Sequence, residues 1–298
     1  MSSFRCVLIL FVSLVAGTPL CAQNLAVAYL QGEARLKTGS GSHQLSIGDE
    51  VPREGTLQVS DGGYLELTDH GLTITLSQAG SYSVQALLSA SQRMGNTGAG
   101  RALSGMLSAL VNGPLRVQST AMGARGANES KADQSGWVTS DTQVYLESGR
   151  EFIKLGEYAK AIEELRRALE VATDQELLEV RYYLAFAYSL SGDTRSAFTQ
   201  LSRVGLPGGE PWAPDYVLLR AKLLVDTFAF KEEISWLTEQ RGGLPQDAQR
   251  APTYSFLLAL GYQGIGDTAH ERESLAQVMH MAADSDIGKV AAKMLNDL

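Results

Sequence analysis

Two different spacings of apolar residues divide the chain. Between Leu25 and Val84 apolar and polar residues alternate, as in Leu57-Gln58-Val59, and a period of two is typical of strands with one buried face. Asp61-Gly62 and His70-Gly71 separate the alternating runs, where glycine permits the positive φ of a tight hairpin. The pattern predicts about five to seven short strands.

From residue 141 the spacing becomes helical, and it repeats. Small residues and turn glycines recur 36 residues apart, first as Gly149, Gly156 and Ala161 and then as Ala185, Gly192 and Ala197. A third unit has Phe228 where the turn glycine is expected, and a fourth regains the glycine at Gly266. The repeat predicts about four antiparallel helix pairs, closed by a capping helix from Ile287 to Leu298.

The segment 86–113 interrupts the strand pattern, and 131–140 is a linker of small and polar residues. Gly95, Gly98 and Gly100 come before an apolar helical stretch from Arg101 to Val111. No Gly-Lys-Ser/Thr follows these glycines, which argues against a phosphate-binding loop. We expect a flexible connector and then a helix that covers an open sheet edge.

The first 22 residues have the pattern of a signal peptide. Arg5 precedes an apolar run from Cys6 to Ala16, which is about half the length that crosses a bilayer, and Gly17 to Pro19 then break the run. Cleavage after Ala22 is predicted; lipid modification at Cys21 is the alternative, against which Leu20 argues. The protein is therefore expected to be exported, as a periplasmic or envelope-associated protein.

Composition removes several classes of function. Both cysteines lie within residues 1–22, so the mature chain would have no thiol chemistry. Residues 131–298 hold 17 basic and 25 acidic residues, a net charge of −8, against 7 and 8 in residues 23–130, a net charge of −1. Nothing supplies the cationic surface that nucleic acids require, and no later run is long enough for a transmembrane segment.

Candidate catalytic groups are scattered. His270 and His280 are ten residues apart, not the three or four that place two metal ligands on one helical face. Adjacent acidic pairs such as Glu163-Glu164 diverge on a helix and suit a solvated face. The sequence contains no serine-hydrolase elbow. It predicts no enzyme activity, cofactor or metal site.

Both halves resemble known families. The sequences at 45–51, 55–57, 62–67 and 72–76, followed by Thr120 to Ala127 with its Arg-Gly pair, resemble the FecR domain. The helical repeat resembles the tetratricopeptide repeat (TPR). The resemblances imply a multidomain β + α protein, with a β-rich FecR-like domain (a β-sandwich or roll with a helical insert) over 23–130 and an all-α TPR-like superhelix over 141–298.

The TPR resemblance also implies a protein-binding groove on the first helix of each pair. Projected onto this sequence, the groove residues are Leu146, Arg150, Ile153, Lys154, Tyr182, Phe186, Lys222, Phe256 and Leu260. Such a mixture of aromatic and basic groups suits a peptide or helix that bears a carboxylate. The alternative is that Tyr182, Phe186 and Phe256 are buried by neighbouring units or by the β domain.

Three functions remain open. The first is a non-catalytic envelope scaffold or adaptor that binds a protein through the groove, with the FecR-like module binding a second protein or a cell-wall glycan. The second is a periplasmic sensor in FecR-type signalling, although only a signal peptide precedes the domain, so the cytoplasmic part of that relay cannot be carried over. An envelope hydrolase is the third.

Overall fold

A computed structural model describes residues 24–69, 71–111, 140–206 and 208–298. The predicted signal peptide, the FecR-like closing segment from Thr120 to Ala127 and all but the last residue of the linker 131–140 lie outside the described residues.

The strands of the described amino-terminal part form two four-stranded antiparallel sheets, in the orders β4-β1-β6-β7 and β3-β2-β5-β8. Their bounds are β1 (Leu25–Gln31), β2 (Ala34–Thr38), β3 (Gly41–Gln44), β4 (Glu50–Val51), β5 (Thr56–Val59), β6 (Tyr64–Asp69), β7 (Leu72–Leu76) and β8 (Gly80–Ser83). Eight strands in the described residues exceed the predicted number, because β3, β4 and β8 are short or exposed and lack apolar alternation.

The alternating residues of both sheets point into a shared hydrophobic core. Leu57 and Val59 of β5 and Leu65 and Leu67 of β6 are all buried, while Gln58 between the first two is exposed. The strands predicted from these alternations are confirmed. In β5 and β6 the buried side chains alternate with more exposed ones, whereas β7 buries Thr75 as well as Ile74 and Leu76.

Two helices make up the described part of the insert: α1 (Val84–Thr97) and α2 (Ala99–Val111), joined at Gly98 in the left-handed region at φ 75°. The prediction of a flexible connector before Arg101 was wrong, since α1 occupies that stretch and buries Leu87 and Leu88 in the β core. The prediction that the second helix covers a sheet edge was also wrong. The buried residues of α2 belong to the core of the helical region.

Residues 140–206 and 208–298 form four helix pairs and a last helix. Their bounds are α3 (Asp141–Lys154), α4 (Tyr158–Val171), α5 (Leu177–Ser191), α6 (Thr194–Leu201), α7 (Ala213–Asp226), α8 (Phe230–Glu239), α9 (Ala251–Ile265), α10 (Thr268–Ala282) and α11 (Asp286–Asn296). The helix pairs and the capping helix predicted from the repeat are confirmed at this level. Ser140 begins the array, since its Oγ accepts a hydrogen bond from the Gln143 amide.

Small residues lie where paired helices approach each other, as the repeat predicts. A Cβ on Gly149 of α3 would stand 2.6 Å from Cγ of Leu165 on α4. Ala161 and Ala168 of α4 are fully buried. A larger side chain at these positions would push the pair apart.

The turn between α7 and α8 differs from the other three. Gly156, Gly192 and Gly266 adopt positive φ at the corresponding places, and Phe228 adopts φ 58° in the third pair. A left-handed conformation is unfavourable for a residue with a bulky side chain. The Phe228 ring is buried in the β core and makes an edge contact with Phe230, with 5.8 Å between centroids, so this turn docks the array against the sheets.

Candidate protein-binding groove

The first helices of the pairs, α3, α5, α7 and α9, are the predicted walls of the groove. Helix α2 packs against α3, α7 and α9, and also against the last helix, α11. The space in which a ligand helix was predicted therefore holds a helix of the same chain, supplied by the insert in the β-rich part.

One face of α2 makes these contacts. Its buried residues follow the spacing of a helical stripe, with exposed residues between them. Arg101, Gly105 and Ala109 are exposed, and the buried set is Ala99, Ala102, Leu103, Leu107 and Leu110. All five belong to the same hydrophobic core as the groove walls.

Seven of the nine predicted groove residues are buried: Leu146, Ile153, Tyr182, Phe186, Lys222, Phe256 and Leu260. Their burial agrees with the alternative reading of Tyr182, Phe186 and Phe256, in which neighbouring units or the β-rich part cover them. None of the seven presents an open surface in this conformation. Their role in binding a partner stays a prediction.

The aromatic residues of the groove pack on one another. Tyr182 stacks on Trp212, with centroids 4.8 Å apart and planes 13° apart, and contacts Phe186 edge-on at 6.0 Å. Burial raises the pKa of Tyr182 well above its usual range and that of Tyr183 to about 12, so both phenols stay neutral at physiological pH. This aromatic cluster joins α5 to the start of α7.

The two basic residues on α3 are only partly exposed. The Arg150 guanidinium carbon lies 4.8 Å from the centroid of the Tyr183 ring, and its buried Nε has no hydrogen-bond partner among the described residues. Lys154 pairs with Glu151 at 3.3 Å on the same helix. Arg150 therefore has an unused donor at the edge of the groove.

Helix α1 covers the far end of the groove. Ala90, Arg93 and Met94 of α1 line a small void together with Leu260 and Gln263 of α9. The insert thus covers two parts of the array, α1 on the fourth pair and α2 along the first helices.

The packing of α2 against the inner helices is the feature that the sequence analysis missed. Two signals pointed to it. The spacing from Ala99 to Leu110 marks an apolar stripe that must pack against another surface. Helix α9 has no charged residue, which is typical of a helix covered on every side. These signals show that both surfaces must be covered, but they do not pair one with the other.

Comparisons with known proteins identify no relative whose function could explain this groove. The chain matches no protein-family model and no curated protein. Within the described residues, no cluster of three or more His, Cys, Asp or Glu side chains could hold a metal ion. None of the helices in that same part of the chain is long and apolar enough to cross a membrane.

Proposed function

We propose that this chain is an exported, non-catalytic adaptor of the cell envelope, which binds a helical segment of a partner protein in the groove of a TPR-like array. The observation that carries the proposal is the position of α2. A helix from outside the repeats lies against the first helices with its Ala99 to Leu110 stripe buried. The groove therefore accepts an apolar helix of small residues and leucines, a common mode of helix recognition.

The composition of α2 suits an occupant that can be exchanged. Gly105 lies in its interior, where a glycine costs about 1 kcal/mol relative to alanine, and Gly100 lies in its first turn. Neither glycine is required by packing, since a Cβ at either position would have nothing within 4 Å. A partner helix with the same apolar stripe and alanine at these positions would hold the groove more strongly than α2 does.

In the proposed arrangement each half of the chain has its own role. The FecR-like module, with its two sheets, carries the insert and docks on the array through Phe228. The TPR-like pairs supply the groove. On this proposal the insert shields the groove until a partner displaces α2.

Three forms of the chain 23–298 test the proposal by retention of proteins from envelope extracts. Wild type is compared with a Leu103→Asp, Leu107→Asp variant, which removes α2 from the groove, and with a Gly100→Ala, Gly105→Ala variant, which strengthens α2. We expect the first variant to retain a partner most and the second least. A synthetic peptide of residues 97–111 is expected to compete with the retained protein.

Equal retention by all three forms, or retention that the peptide does not affect, would overturn the proposal. Circular dichroism shows whether the Asp variant keeps its helices. The alanine variant gives an independent result, because it changes only exposed positions of α2.

A further inference from the structure

A polar cavity of about 980 Å³ opens where the two halves of the chain meet. It lies between the first turns of α2 and the end of α5, and it is bounded by β6, β7, the end of α1, the start of α6 and the end of α7. Of the nine predicted groove residues, Lys222 lines this cavity.

The wall of the cavity contains buried polar groups. Ser189 is 4% exposed, and its Oγ has no hydrogen-bond partner among the described residues. Thr75 and Lys222 line the same wall and are buried too. A buried hydroxyl without a partner costs about 1–3 kcal/mol, so a ligand that supplies the missing bond would bind favourably there.

Two arginines of the cavity wall have hydrogen-bond donors that no acidic side chain of the described residues occupies. Arg101 in the first turn of α2 and Arg195 in the first turn of α6 have no acidic partner in the described ranges. The Arg195 guanidinium lies 4.2 Å from the centroid of the Tyr29 ring, which leaves its donors available. The amino-terminal end of α2 adds partial positive charge.

Each acidic residue of the wall accepts a hydrogen bond from a neighbouring group of the protein. Asp193 accepts a hydrogen bond from the Ser196 amide at 3.0 Å and caps α6, and Asp226 pairs with Lys222. Glu66 accepts a hydrogen bond from the Tyr64 hydroxyl at 3.2 Å. The carboxylates of the wall therefore have partners within the protein, whereas the guanidiniums of Arg101 and Arg195 keep hydrogen-bond donors for a ligand.

We propose that this cavity binds an acidic oligosaccharide, a carbohydrate that bears a carboxylate. The guanidiniums of Arg101 and Arg195 suit a carboxylate, since arginine donates two parallel hydrogen bonds to it. The hydroxyl groups of the wall, Ser189 among them, suit a sugar, and the Phe228 ring supplies an apolar edge. The volume is at the upper end of the range of about 300–1,000 Å³ for small-ligand sites. This inference does not depend on the exchange of α2.

Calorimetric titration of the chain 23–298 with four probes tests the proposal. The probes are trigalacturonate, the N-acetylglucosamine–N-acetylmuramate disaccharide, neutral maltotriose and inorganic phosphate. We expect at least one of the two acidic sugars to bind, and neither maltotriose nor phosphate. The two acidic sugars distinguish a uronate from a lactyl carboxylate.

Two variants and a matched control locate the binding. Arg101→Gln is expected to weaken the acidic sugar about tenfold, the effect of about one charge-assisted hydrogen bond. Ser189→Ala is expected to weaken it less. Arg203→Gln, at an exposed arginine outside the cavity wall, is expected to leave the affinity unchanged.

Equal binding of maltotriose would overturn the role of the carboxylate, and binding of phosphate alone would overturn the carbohydrate. Failure of both acidic sugars, or an unchanged affinity in Arg101→Gln, would overturn the site. Loss of this binding with partner retention intact would leave the adaptor proposal standing, and the reverse result would leave the sugar site standing.

Discussion

The inner and outer helices of the array are built from different sequences. Helix α4 on the outer side buries Ala161, Leu165 and Ala168 and leaves Glu163 and Arg167 in solvent. The inner helix α7 buries nearly every residue from Asp215 to Val225. The outer helix α4 packs against other elements on one face only, whereas α7 packs against them on two faces. The difference teaches that the inner side of this array is a protein interior, and that α2 and the insert supply part of its cover.

Weakening the packing of α2 on the inner helices is expected to cause the largest loss of stability. Leu107→Ala deletes a fully buried side chain from α2, and such truncations cost about 2–5 kcal/mol in the free energy of unfolding. Urea unfolding measures the loss. Ala109→Gly, at an exposed position of the same helix, is the control and is expected to cost about 1 kcal/mol. If Leu107→Ala costs no more than this control, α2 is not part of the interior.

Substitutions at Phe228, in the turn between α7 and α8, are expected to give the next largest loss of stability. Phe228→Ala removes a buried ring from the β core and is expected to cost about 3 kcal/mol. Phe228→Gly removes the same ring and also the left-handed strain at φ 58°, so it is expected to be about 1 kcal/mol more stable than Phe228→Ala. Chemical unfolding of both variants checks the order. The opposite order would show that the conformation costs little.

A buried carboxyl group between α8 and α9 makes the stability of the fold depend on pH. Glu233 is fully buried, neither carboxyl oxygen has a partner among the described residues, and burial raises its pKa well above its usual range. The folded state binds the proton more tightly than the unfolded chain. The contribution of Glu233 is therefore most favourable below its unfolded pKa of about 4.3, and it is lost as pH rises toward the folded value.

Glu233→Met is accordingly expected to stabilise the protein at pH 7 by about 1–3 kcal/mol and to gain less at pH 4. Thermal unfolding of variant and wild type across this pH range measures the gap. Glu232→Met, at the neighbouring partly exposed residue, is the control. A gap that does not change with pH would show that Glu233 keeps the same protonation state in the folded and unfolded chain.

Substitution of an exposed residue on the outer helix α4 is expected to cause the smallest loss of stability. Arg167 bonds to Glu163 at 2.5 Å and to Glu164 at 2.8 Å, but half of its side chain is in solvent. Exposed pairs of this kind contribute up to about 1 kcal/mol, and salt screens them. Arg167→Ala is expected to lower stability by under about 0.5 kcal/mol, and by less in 1 M salt. A larger loss would mean that the outer face is part of a packed structure too.

The sequence predicted those elements whose apolar residues are spaced for their own geometry. The strands around Leu57, Leu65 and Ile74 and the helix pairs around Gly149 and Gly192 all follow from local spacing. The exposed strand β3 has no apolar alternation, and its pairing with β2 is set by the backbone hydrogen bonds of a hairpin. Local spacing alone could not reveal it.

The position of α2 in the groove could not be predicted from local spacing. The stripe from Ala99 to Leu110 shows that α2 packs against an apolar surface, but both the sheets and the inner helices offer one. The choice depends on contacts between residues far apart in sequence. The loss of the turn glycine at Phe228 was visible from the repeat, and its reason, a ring buried in the β core, required the fold.

The path of α2 across the array has a consequence for how the chain unfolds. In an array of helix pairs each pair touches only its neighbours, so such arrays can melt in stages. Here α2 contacts both α3 and α11, and Lys293 of α11 donates a hydrogen bond of 2.9 Å to the carbonyl of Asn96 in α1. The first and last pairs are thereby tied into one cooperative unit. We expect the array to melt as a whole while α2 is in place and to melt in stages once α2 is released.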